Sequence, residues 1–223
     1  MNFWSKVLTI AWKDALSEIR TREIIFSVLV FTLLVIVIFN FAFSANQQMI
    51  ELVAPGILWV TFAFAGVLSL NRSFIMEKEQ ACLDGLMMCP VSREVIYVGK
   101  MLASLLFMLV IEAIALPGFA FLFNLAVLSP QLIAITVSTT IGFVAVGTLF
   151  SALAVNTKAR EMVLPILFFP ITVPIIISAV QASKLALAGE PWSELSPWLQ
   201  IIGTFDIIFL VVSFLVFAFI IEE

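Results

Sequence analysis

Six uninterrupted apolar runs, at about 24–43, 52–70, 98–123, 131–155, 162–182 and 199–221, decide most of what this 223-residue chain can become. Each has about the 20 residues that an α-helix needs to cross a bilayer core of about 30 Å. The runs are continuous rather than alternating, so they suit helices and not barrel strands. A helix also satisfies its own backbone groups where no water can. The fold class expected is therefore an all-α integral membrane protein with six transmembrane helices. Its 12% of charged residues lies far below the ~25% of an average soluble domain. The spans use nearly the whole length, which reads as one membrane domain over residues 1–223, surrounded by lipid and not by nucleic acid.

Lysine and arginine set the expected orientation, because they collect on cytoplasmic loops. Lys6, Lys13, Arg20 and Arg22 precede the first span, Arg72, Lys78, Arg93 and Lys100 surround the second loop, and Lys158 and Arg160 occupy the fourth. The other side holds only Lys184. Both termini are thus predicted to be cytoplasmic, with outer loops near 44–51, 124–131 and 183–198. The first apolar run starts only near Ile24 and no small-residue cleavage pattern follows it, so the N-terminal segment is expected to be retained. Cys82 and Cys89 fall on the cytoplasmic side, where a structural disulfide is not expected. Their spacing fits no zinc pattern, and the chain has no histidine to complete one.

Before the first span, residues 1–22 read as an amphipathic interfacial helix. Trp4, Val7, Leu8, Ala11, Trp12, Ala15 and Ile19 share one side, with Lys6, Lys13, Ser17 and Arg20 opposite, and Asp14, Glu18 and Arg22 follow one another at i,i+4. Prolines interrupt three spans: Pro55 in the second, Pro117 in the third, and Pro165, Pro170 and Pro174 in the fifth. Each removes a helical hydrogen bond, which predicts bent or broken helices toward the outer half. In the fourth span Ser138 with Gly142 and Gly147 with Ser151 form small-residue pairs suited to close helix packing.

The most polar stretch lies between spans two and three. From Ser73, a plausible N-cap, the sequence can form a short helix with Glu77 and Glu79 early in it, where carboxylates suit the helix dipole. Ile75, Cys82, Leu83, Leu86 and Met87 gather on one face, Pro90 ends the helix, and Ser92 can cap the third span. Such a helix either lies in the headgroups or docks its apolar, methionine-bearing face on a cytoplasmic partner. Two acids fall within spans: Glu112 in the third, and Asp206 a turn or two inside the outer end of the sixth. An intramembrane carboxyl is costly. It is expected to face the interior, neutral or paired, as polar glue between helices or as a proton or substrate site. The two acids are expected on different spans at different depths.

Three segments carry a resemblance: "APGILWVTFAFAGVLSLNRSF" (54–74), "LDGLMMCPVSREVIYVGK" (83–100) and "LPILFFPITVP" (164–174). Together, in this order and over about residues 10–220, the chain resembles the cytochrome c maturation protein B (CcmB) family, also called haem exporter protein B. More loosely it is similar to ABC-2 permeases. One departure is Asn71, where an acid is expected before Arg72.

The resemblance implies a permease subunit of an ATP-binding-cassette complex in the bacterial inner membrane, present in two copies. A cytoplasmic ATPase, cytochrome c maturation protein A, would bind it, with proteins C and D completing the assembly and haem-loaded chaperone protein E released. The coupling loop would be 71–97, with Glu77, Glu79, Leu83, Leu86, Met87 and Pro90 meeting the ATPase. Consistent with that division of labour, the chain has no G-x-x-x-x-G-K-[ST] phosphate loop. Its "VGKM" at 98–101 lacks the upstream glycine and the Ser or Thr, so ATP is expected on the partner and no catalytic residue here. Haem enters as cargo of the pathway and not as a firmly held cofactor. With no histidine, a histidine-ligated haem site in this subunit alone is excluded, while methionine or Tyr97 ligation stays open beside plain packing. Rival readings are an ABC-2 permease of other cargo and an intramembrane enzyme using Glu112 and Asp206.

Overall fold

The computed structural model of the chain describes residues 3–21, 23–43, 47–79, 91–125, 127–155 and 160–220, and among them every regular element is a helix. In chain order these are α1 (Phe3–Thr21), α2 (Glu23–Phe43), α3 (Gln47–Glu79), α4 (Arg93–Phe123), α5 (Pro130–Val155), α6 (Arg160–Leu187) and α7 (Trp192–Ile220). The last six are long and apolar enough to cross a bilayer, so this is a multi-pass membrane protein. Short connections make successive spans run in opposite directions. One end of the bundle, here the α1 end, carries α1 and the starts of α2, α4 and α6. The other is the far end.

Helix α5 stands at the centre. Within the spans, 72% of α5 is buried against 17% of α2 and 22% of α7. The cause is its run of Ala, Gly, Ser, Thr and Val, which lets neighbouring backbones come close. A side chain on Gly147 would collide with Leu70 of α3 and reach Phe168 of α6 at 3.4 Å, and one on Gly142 would strike α6 and α7. The small-residue pairs of this span are therefore packing surfaces within the chain. The main apolar core joins α3, α5, α6 and the far half of α4 through Phe62, Phe119, Phe143 and Phe168. A second cluster at the α1 end joins α1, α4, α5 and α7.

Polar contacts pin individual helices. The Trp59 indole N–H donates to Ser183 Oγ at 2.9 Å, tying α3 to α6, and Asn40 of α2 donates to the Leu122 carbonyl of α4. Ser183→Ala leaves the indole in place and removes its acceptor. Its expected cost is about 1 kcal/mol, read as a lowered midpoint when the detergent-solubilised chain is unfolded by denaturant. A cost above about 3 kcal/mol would mean that the ring's packing was also lost.

Several elements differ from the sequence-based reading. Ser73 is not an N-cap: α3 runs unbroken from Gln47 to Glu79, because no Gly or Pro lies between Leu70 and Glu79 to stop it. The loop expected over 71–97 is thus helical at both ends, since α4 already begins at Arg93. Ser92 does hold the N-cap position of α4, although its side chain makes no capping bond. The outer connection expected over 183–198 shrinks to 188–191, because α6 continues to Leu187 and α7 starts at Trp192.

Among the described residues, no proline inside a helix breaks it. Pro55, Pro117, Pro165, Pro170 and Pro174 all lie inside continuous helices, as does Pro197 of α7. Membrane helices tolerate this where side chains satisfy the freed carbonyl. The Ser193 carbonyl, which Pro197 cannot serve, receives the Ser196 hydroxyl at 2.9 Å. Pro130 opens α5, where its missing N–H costs nothing, and Ser129 Oγ accepts from the Leu132 N–H at 3.2 Å as the cap.

Helix α1 has three faces rather than two. Val7, Ile10, Ala11 and Asp14 are buried in the bundle, while Trp4, Leu8 and Trp12 are exposed on a second, apolar side. Lys6 and Lys13 lie on the third, polar side. The residues read as one apolar stripe thus divide between protein and lipid.

Candidate functional site

Glu112 and Asp206 meet the same helix from opposite sides. On α4, Met108, Ile111, Glu112, Ala115, Leu116 and Phe119 recur at helical spacing and turn inward together. That face carries Glu112 against α5, where only 2% of the residue is exposed. The Thr140 Oγ1 lies 2.6 Å from Glu112 Oε1 and 2.8 Å from the Thr136 carbonyl. Its one proton can serve only one of these acceptors at a time. Glu112 Oε2 and the Thr136 and Thr139 hydroxyls are buried with no hydrogen-bond partner among the described residues.

Asp206 of α7 is 8% exposed and packs its Oδ1 against Gly142 of α5, in the space a side chain there would need. Thr140 and Gly142 are two positions apart, so about 3 Å of rise and about 200° of rotation separate the two contacts. The acids are therefore at similar depth, contrary to the sequence-based expectation. The reason is the early start of α7: with Trp192 as its first residue, Asp206 sits fourteen residues in, about 21 Å along the helix and near mid-bilayer. The body of α5 separates them, so they form no shared site.

Glu112 borders two spaces. On the interior side, Trp59, Phe62, Met108, Phe143 and Ile176 enclose a void of about 10 Å³ around Glu112 and Thr140, at the lower limit for one water. On the lateral side a cleft of about 260 Å³ opens between α4 and α5. Its walls are Leu109, Ala113, Leu116, Leu128, Ile133 and Val137, and its polar residues are Glu112 and Thr136.

The α1 end holds a polar contact that the sequence analysis did not single out. Lys100, buried in the second turn of α4, lies 3.5 Å from Asp14 Oδ2 of α1, and Lys13 Nζ lies 2.8 Å from Asp14 Oδ1. Beside the pair, Gly99 lets α1 approach: a Cβ there would come within 2.8 Å of Ile10 Cβ. The signal was available, since a lysine five residues after the buried run begins at Val95 needs a partner. By orientation alone, Lys100 counts only as a topological charge. Tyr97, one turn earlier, donates its hydroxyl to the Ala145 carbonyl at 3.1 Å and packs on Phe217.

Of the residues expected at an ATPase contact, Glu77 and Glu79 lie on the last turns of α3, and their side chains are outside the described set. Leu83, Leu86, Met87 and Pro90 lie outside the described residues, as do Cys82 and Cys89. Among the described residues no three His, Cys, Asp or Glu side chains cluster as metal ligands would.

A family model described as CcmB protein matches residues 5–222. A Rhodobacter capsulatus protein named heme exporter protein B is 30% identical over 164 residues, covering 72% of this chain and 74% of the relative. Proteins of the same name are 28% identical in Pseudomonas aeruginosa, over 77% of each chain, and 28% identical in Bradyrhizobium diazoefficiens, over 71% of this chain and 72% of the relative.

Proposed function

The chain belongs to the CcmB protein family, and from that premise we propose that it is the permease subunit of an ATP-binding-cassette complex that handles haem for c-type cytochrome biogenesis. Its place is the bacterial inner membrane, with the α1 end and both termini in the cytoplasm, where the lysines and arginines concentrate. The ATPase is a separate, CcmA-like subunit. CcmC-like and CcmD-like membrane subunits and a second copy of this chain complete the complex, and a CcmE-like chaperone takes the haem. ATP chemistry belongs to the partner and haem is cargo; with no histidine in the chain, a histidine ligand for it comes from another subunit.

The observation that carries this reading is the length of α3. The apolar run of its sequence ends at Leu70, before Asn71 and Arg72, yet the helix continues to Glu79, about 13 Å further at about 1.5 Å per residue. A helix without a hinge between bilayer and loop moves as one body. A push from an ATPase on residues 80–90 is then delivered to the Trp59 and Phe62 region of the core. On the far side of that loop, α4 starts at once and carries α1 with it through Lys100 and Asp14. A coupling loop joined to two rigid helices is what transmission of nucleotide-driven closure requires. The rival enzyme reading loses its site, because α5 stands between Glu112 and Asp206.

Two measurements test the proposal. In a strain lacking the chain, covalent haem in periplasmic c-type cytochromes, read by haem stain, is expected to vanish while b-type cytochromes and total haem persist. An unchanged c-type signal would reject the haem role and leave a permease of other cargo. In the complex, Leu86→Asp is expected to weaken retention of the ATPase by roughly 30-fold or more, the effect of losing a buried interface anchor. Full retention would remove residues 80–90 from the contact.

A further inference from the structure

We propose that the exposed edge of α1 is a binding site for the headgroup of an anionic phospholipid, formed where a column of indoles and leucines meets a column of hydrogen-bond donors. The inference does not depend on which cargo the complex handles. It begins from the residues that α1 leaves uncovered once Val7, Ile10, Ala11 and Asp14 are buried in the bundle. Trp4, Leu8, Trp12 and Leu16 recur every four residues and are all exposed. Ser5, Thr9, Lys13 and Ser17 follow each of them by one position and are exposed as well. Ser5 with Leu8, and Thr9 with Trp12, are i,i+3 neighbours on the helix surface. Accordingly Trp4, Ser5, Leu8, Thr9 and Trp12 line one open groove of about 620 Å³.

The level of α1 points to lipid as the occupant. Val7 and Ile10 share a buried cluster with Val95, Ile96 and Tyr97 in the first turns of α4, and Ile10 and the Val7 carbonyl border Gly99. So α1 stands where α4 passes from Arg93 and Glu94 into its apolar run. It ends at Thr21, and α2, which is apolar enough to span, begins at Glu23. A helix at this level turns its outer face to the headgroup layer, where an indole keeps its ring among acyl chains and its N–H in the polar zone. The second column then lies against the phosphates with hydroxyls and an ammonium, all of which can donate to phosphate oxygens. Lys13 Nζ lies 2.8 Å from Asp14 Oδ1, but an ammonium has three donors and can bridge a carboxylate and a phosphate. The Thr9 hydroxyl donates to the Ser5 carbonyl at 2.8 Å, a surface bond that a phosphate oxygen can replace. Net charge is selected by what this edge lacks. No acid is exposed between Phe3 and Ser17, so the cation of a choline or ethanolamine headgroup finds no partner there. A headgroup without a cation brings Lys13 an uncompensated negative charge.

The test uses the full-length chain in phosphatidylcholine nanodiscs doped with a phosphatidylglycerol that carries a diazirine on an acyl chain, close to the glycerol. The control probe is a phosphatidylcholine with the same diazirine at the same mole fraction. After illumination, labelled peptides are identified by mass spectrometry. The phosphatidylglycerol is expected to label residues 3–17 about fivefold more than the control, the preference that one lysine near an anionic lipid supplies. Residues 207–216 of α7, which carry exposed apolar side chains and no cation, should take both probes equally. Lys13→Gln should bring labelling of residues 3–17 down to the control level. Ser5→Ala with Thr9→Ala leaves the Lys13 charge in place and should lower the preference by about twofold or more, the share of a surface hydrogen bond. All three positions are exposed, so neither variant disturbs the buried face of α1. Equal labelling of residues 3–17 by the two probes would overturn the proposal, as would a preference that survives both variants or is matched at residues 207–216. A preference that disappears when the chain is reconstituted with its partner subunits would assign this edge to a protein contact and also overturn it.

Discussion

Gly142→Leu is expected to leave little folded protein. The Cβ alone would collide with Asp206 Oδ1 and come within 2.9 Å of Ile175 Cδ1 and 3.1 Å of Phe205 Cδ1. The rest of a leucine would have to part α5 from both α6 and α7. Overpacking of a tight core costs about 1–3 kcal/mol, and displacing a buried carboxyl adds to it. A loss of about 3 kcal/mol or more is therefore expected, measured as chain recovered in the monodisperse fraction after solubilisation and as a lowered unfolding midpoint. Gly203→Ala is the control, since no atom lies within 4 Å of a Cβ there, and it should lower neither readout, alanine being the better helix former. The clash also has a signature: Gly142→Ala should cost less in an Asp206→Ala background than in the native chain, a coupling that a double-mutant cycle isolates. Additive costs would mean that Asp206 already turns aside without penalty.

Lys100→Met should release α1 from the bundle. The substitution keeps the apolar stem and removes the charge, leaving Asp14, 9% exposed at its side chain, with Lys13 as its cation. Breaking a buried pair from one side costs about 3–5 kcal/mol, largely the penalty of the charge left behind. With Lys13 still present, about 2–3 kcal/mol is expected. Removing both charges in Lys100→Met with Asp14→Leu should recover most of it, because apolar residues can replace a buried pair at little cost. The measurement is disulfide trapping between cysteines placed at Val7 and Val95, which share one buried cluster: fast in the native background, slow in the single variant and restored in the double. If the proposed coupling is right, c-type cytochrome haem should follow the same order. Unchanged trapping in Lys100→Met would show that Gly99 and Ile10 hold α1 without the charges.

What was legible in the sequence was what lipid imposes on single segments. Six apolar runs, the existence of an N-terminal amphipathic helix, the packing glycines of α5 and the inward turn of Glu112 all follow from the length, periodicity and polarity of one stretch at a time. Boundaries were less legible where a local stop signal was overread. Prolines 55, 117, 165, 170, 174 and 197 lie within continuous helices because in a bilayer core the alternative to a helix is unsatisfied backbone, and that penalty exceeds one lost bond. Ser73 looked like a cap only in isolation.

The pairings were decided by the tertiary structure alone. Apolar pattern gives a helix its inward face but not the neighbour it meets. That Asp14 would reach Lys100 across 86 positions, and that Asp206 would rest on Gly142, depends on how the described helices cross. The depth of Asp206 likewise waited on the start of α7 at Trp192. Local chemistry determined which segments enter the membrane and how each one faces. Only the packed bundle determined which carboxyl stands opposite which partner, because each contact joins residues that no periodicity along the chain relates.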